Sequence, residues 1–72
     1  MGPEMEPTPE SSSIEEIGYD ADAEEVWVRF GGSGLYAYSG VPEVVWDDLR
    51  RSPSKGGFVN SVLKPSYPYR QV

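Results

Sequence analysis

Apolar and polar positions change rhythm along the 72 residues, and the changes mark the elements. Val26, Val28 and Phe30 alternate with Trp27 and Arg29, the period of two expected of a strand. Leu35 to Ser39 repeats it, with Leu35 and Ala37 on one face and Tyr36 and Tyr38 on the other. Gly31-Gly32-Ser33-Gly34 between them reads as a hairpin turn. Ahead of these, Ile14, Ile17 and Tyr19 predict a first strand of imperfect alternation, and Asp20-Ala21-Asp22-Ala23 a turn. After Gly40 the period lengthens. Val45 and Leu49 stand four apart with Trp46 beside them, an apolar helical stripe. Pro42 suits its first turn, and Glu43 at the start and Arg50 and Arg51 at the end complement its dipole. Ser52-Pro53-Ser54 stops this helix. A second short helix is expected from about Gly56 to Leu63, with Phe58 and Val62 on one face, before Pro65 ends it. Tyr67-Pro68-Tyr69 then leaves in an extended conformation. The expectation is an α+β fold: a three-stranded antiparallel β-meander followed by two short helices packed on one sheet face.

Composition sets the boundaries. Residues 1–11 hold Pro3, Pro7 and Pro9 with three glutamates and little to bury, and are expected to be a disordered acidic tail. Residues 12–72 are the single domain, which at this length builds one thin core. No basic and apolar leader opens the chain, Pro3 and Glu6 spoil a myristoylation signal at Met1-Gly2, and no apolar run nears the roughly 20 residues of a bilayer span. The expectation is a cytoplasmic protein that engages no membrane.

Charge changes the picture. Twelve acids against six bases give −6, which taken whole argues against nucleic acid. Residues 1–28, however, hold nine acids and no base, and residues 29–72 three acids and all six bases. From Leu49 onward stand Arg50, Arg51, Lys55, Lys64 and Arg70 with no acid among them. One reading is that the two halves attract each other across the surface. The other is a basic face for a polyanion, with the acidic tail competing for it.

Candidate chemistry is mostly excluded. The chain has no cysteine and no histidine, which removes thiol and Ser-His nucleophiles and the commonest metal ligands. Glu15-Glu16, Glu24-Glu25 and Asp47-Asp48 are sequence neighbours whose side chains diverge, so they read as solvated surface and not as catalytic pairs. The glycine run joins two strands and lacks the helix start of a phosphate loop. Neither a cofactor nor a metal site is indicated. Tyr36 and Tyr38 share a strand face, and Trp27 is a candidate for the same side. Such aromatics either form core under the helices or stack bases. The bases after Leu49, with Tyr67 and Tyr69 interleaved, suit single-stranded or looped RNA.

The ordered residues resemble the KTSC domain, a short module at the C-terminus of some lysyl-tRNA synthetases that also occurs as a stand-alone bacterial protein. Ser12-Ser13-Ile14 with Ile17-Gly18-Tyr19-Asp20 is similar to its opening, Tyr36-Ala37-Tyr38 to its central YxY motif, and Val41-Pro42 to its helix start. Ser54-Lys55-Gly56-Gly57-Phe58-Val59-Asn60 and Tyr67-Pro68-Tyr69-Arg70 resemble its closing segments, with Leu63 where Ile or Val is expected. The resemblance marks Pro42, Gly56, Phe58 and Asn60 as structural, Asn60 as a buried amide holding the helix-to-tail turn. It implies no assigned activity. RNA binding, tRNA included, is suggested by the synthetase context. The resulting expectation is a non-catalytic RNA-binding module acting through Tyr36, Tyr38, Arg50, Arg51, Lys55, Lys64, Tyr67 and Arg70. The alternative is a protein-protein interaction module with no nucleic-acid role. Oligomeric state is left open.

Overall fold

A computed structural model describes residues 2–72; Met1 lies outside them. Five strands, β1 (Met5–Pro7), β2 (Ile14–Asp20), β3 (Glu25–Phe30), β4 (Gly34–Ser39) and β5 (Tyr69–Gln71), form one antiparallel sheet in chain order. The expected three-stranded meander is its centre. Its edges are additions. Met5–Pro7, expected to be disordered, pairs with Gly18, Ile17 and Glu16, and the extended tail after Tyr67 pairs with Tyr36–Tyr38.

The uneven spacing of Ile14 and Ile17 has a plain cause. A bulge between Ile14 and Glu16 adds a residue against β3, so both isoleucines reach the same face, opposite Phe30 and Val28. That face also holds Val26, Tyr36 and Tyr38, since Val26 pairs with Tyr38 and Val28 with Tyr36. Trp27 pairs with Ala37 on the other face, so it does not join the tyrosines.

Helices cover the isoleucine face. Gly40, at φ +75°, turns the chain from β4 into α1 (Glu43–Arg51), a backbone state that glycine adopts without strain. Pro42 caps α1, its carbonyl accepting from the amides of Val45 and Trp46. Trp46 and Leu49 are the buried stripe of this helix. A second helical run follows, formed by α2 (Lys55–Phe58), a π-helical stretch (Val59–Leu63) and α3 (Lys64–Ser66). Ser54 caps it, its hydroxyl accepting from the Gly57 amide. Pro65 lies inside this run instead of ending it. Its ring would crowd the carbonyl four residues back, and the wider turn just upstream opens the spacing there. Val59 and Leu63 both reach the core from the widened turn.

Trp27, Ala37 and Gly18 are buried on the opposite sheet face beneath the N-terminal segment. Gly2 lies against the Trp27 ring, and Pro3 and Met5 lie over Gly18. No helix among the described residues is long and apolar enough to cross a membrane.

Candidate functional site: an aromatic pocket at the sheet edge

The helical layer leaves one part of the isoleucine face open, where β3, β4 and β5 meet the end of the second helical run. A cavity of about 370 Å³ occupies it, lined by Phe30, Ser33, Tyr36, Tyr38, Lys64 and Tyr69. Register explains the gathering. Phe30 ends β3, Tyr36 and Tyr38 are in phase with it across the hairpin, and Tyr38 pairs with Tyr69 on β5. The rings meet at steep angles: Phe30 and Tyr36 at 71°, Tyr36 and Tyr69 at 64°, Tyr38 and Tyr69 at 45°.

The four rings differ in access. Tyr38 is 2% exposed and forms the floor, while Tyr69 is 61% exposed and forms the outer wall. Tyr36 and Phe30 are half-buried against the core. Burial, then the neighbouring Tyr69 and Tyr36, holds the Tyr38 phenol above its ordinary value, so it is neutral near pH 7. Lys64 stands at the rim with its ammonium 5.4 Å from the Phe30 ring centre, a cation–π contact. Aromatic walls, a serine hydroxyl and one cation suit a flat ring carrying a negative charge.

The other expected site residues are dispersed. Arg50 reaches Glu6 at 3.3 Å and lies over Trp46, and Arg51 reaches Asp48 at 2.7 Å. Arg70 pairs with Glu25 at 3.0 Å above Trp27, on the face away from the pocket. Tyr67 is half-buried against the core. Lys55, expected to be a surface base, is 8% exposed. Its ammonium donates to the carbonyls of Arg50 and Ser52 and pairs with Glu10 at 3.2 Å, which ties the end of α1 to the loop before β2. Among the described residues, Lys64 alone of the six bases has no carboxylate partner. Four of the five pairs join an acid of residues 1–28 to a base of residues 29–72, so the two halves of opposite sign do attract each other.

Of the residues expected to be structural, Pro42 caps α1 and Phe58 packs against the core. Gly56 admits close approach, since a Cβ there would fall 2.7 Å from the Ser13 hydroxyl. Asn60 is a correction: it is exposed, because the widened turn points Val59 and Leu63 inward and leaves Asn60 outside. It lines a second, polar cavity of about 300 Å³ with Glu10, Ser13, Ser54 and Gly57.

Sequence reasoning missed Phe30 and Ser33 and left Tyr69 out of the residues expected to act on RNA. Cross-strand phase through the glycine hairpin carries a signal for Phe30, and the Tyr67-Pro68-Tyr69 extension one for Tyr69. Ser33 has none.

Comparison with known proteins gives this geometry a family. A protein of Tsukamurella paurometabola is 44% identical over 63 residues, covering 88% of this chain and 92% of that one. A lysine–tRNA ligase of Nostoc punctiforme is 31% identical over 64 residues, covering 89% of this chain but 11% of the ligase. The crystal structure of a KTSC domain protein from Yersinia pestis superposes with a TM-score of 0.92 at 34% identity, covering 99% of both chains. The KTSC domain family model matches residues 10–67, and the chain belongs to the KTSC domain family.

Proposed function

We propose that this domain is a non-catalytic binding module that contacts RNA, tRNA among its candidates, by admitting a base to the pocket of Phe30, Tyr36, Tyr38 and Tyr69. The observation that carries this reading is the coincidence of an accessible aromatic pocket with Lys64, which has no carboxylate partner among the described residues. Rings take a base face by stacking, and the ammonium donates to a phosphate and neutralises it. The similarity to a segment of lysine–tRNA ligases supports an RNA setting, and with it the cytoplasm. The absence of cysteine and histidine supports a binding role over catalysis.

The reading is narrower than the sequence suggested. Tyr38 is buried as the pocket floor, Arg50, Arg51, Lys55 and Arg70 are engaged in ion pairs, and Tyr67 is half-buried against the core. Titrating isotopically labelled protein with tRNA and with short single-stranded RNA at low salt tests it. Shifts confined to Phe30, Ser33, Tyr36, Lys64 and Tyr69 are expected, and unmoved signals at these residues overturn it. A protein partner at the same pocket is the second reading. The pairing of five of the six bases in a chain of net charge −6 favours it, because little positive surface is left for a polyanion.

A further inference from the structure

The ion-pair map constrains how much RNA the domain can hold. Arg29, Arg50, Arg51, Lys55 and Arg70 each lie within 3.3 Å of a carboxylate. A phosphate drawn to any of them must displace that carboxylate and then face it. Among the described residues that line the pocket, Lys64 is the one cation. On the hairpin side the Glu15 carboxylate lies near Gly31, 3.8 Å from where a Cβ would stand. Around the β5 edge, Arg70 is held over Trp27 by Glu25. The rings also fail to form a continuous platform. Proteins that track a strand offer successive parallel stacking surfaces along a positive groove, whereas these walls meet at 64° and 71°. A volume of about 370 Å³ lies near the lower end of the range for ligand pockets.

We infer that the pocket is a one-nucleotide site: it takes a single unpaired nucleotide, the base among Tyr36, Tyr69 and Phe30 and one phosphate on Lys64. This rests on the RNA reading and adds to it the size of the ligand. The domain then reads one position in a loop or at a strand end and does not follow a strand. Nucleotides on either side of the bound one add nothing.

The test uses the full chain with the four nucleoside 5′-monophosphates and with single-stranded oligoribonucleotides of increasing length up to an octamer. Affinity should rise with length no faster than the number of nucleotides available to occupy the site. The slope of log K against log salt should stay no steeper than about −0.7 at any length, the value for one phosphate on a single strand. Lys64 is exposed, so Lys64→Met should fold normally and bring that slope close to zero. An octamer slope steeper than about −2, signalling three or more phosphates, overturns the one-nucleotide site and leaves the RNA reading standing. Failure of every RNA to bind overturns the RNA reading, and the inference with it.

Discussion

Single residues carry strain and capping in this fold. Glu24 is the one non-glycine residue with positive φ among those described, at 53°, where its Cβ crowds the following carbonyl. Its carbonyl accepts from the Val41 amide, so the backbone must hold this shape. Glu24→Gly should therefore stabilise the domain by about 0.5–1 kcal/mol after the entropy cost of glycine, a rise in Tm of a few degrees by thermal melting. Lys55 acts in the opposite sense. Replacing it with methionine keeps its buried stem and removes the ammonium that serves two carbonyls and Glu10, and should cost about 2 kcal/mol in urea unfolding. Its burial was not legible in the sequence. A lysine after Ser-Pro-Ser reads as a surface base, and only the packing of α1 against the loop before β2 encloses it. Tyr38 was legible as a strand residue but not as the pocket floor, because its phase does not say which face the helices cover.

At the scale of elements, strands with their own periodicity were plain and strands that borrow their order were not. Val26, Val28 and Phe30 alternate without help, and so do Tyr36 and Tyr38. Met5-Glu6-Pro7 and Tyr69-Arg70-Gln71 have no such pattern. They are strands because β2 and β4 present free edges, and because Trp27 on the far sheet face needs cover. The N-terminal segment supplies that cover, with Gly2 against the indole and Met5 over Gly18. Deleting residues 1–7 should leave a folded but weaker domain, by about 2 kcal/mol for the apolar surface uncovered. Tryptophan emission should shift to the red as Trp27 meets water; unchanged emission and stability would mean that the segment is a passive tail. The pocket lies between elements in the same way. Its residues come from β3, the hairpin, β4, β5 and α3, and no local window of sequence contains them together.

For the whole molecule, the acidic first third and the basic remainder are parts of one surface. Four ion pairs join them, so acidification acts on the tertiary structure. Glu10 shows the sign. A backbone hydrogen bond and then the Lys55 ammonium hold its carboxyl below the ordinary value of 4.5. A group depressed on folding stabilises the native state above its unfolded pKa and loses that contribution as pH falls through the folded one. Stability should thus decline below about pH 4.5, and Glu10→Gln should flatten the decline in urea titrations run across that window. At the alkaline end Tyr38 works the other way. Its phenol is raised above 10.0 by burial, so its contribution is complete below pH 10 and is lost as the pH climbs through the higher folded value.

Strand order in the sheet follows chain order, which puts the first and last strands on opposite edges. The N-terminal strand is one edge and the C-terminal strand the other, four spacings or roughly 19 Å apart. The pocket lies towards the C-terminal edge, with Tyr69 of that strand as its outer wall. Residue 2 itself folds back against Trp27 on the sheet face away from the pocket, so a protein joined ahead of it is tethered behind the sheet, and its bulk need not shade the opening. A joint after Val72 would begin one residue beyond β5, beside the outer wall, and would crowd the entrance. Position along a fusion is therefore a geometric control on access: an N-terminal tether leaves the mouth of the site clear.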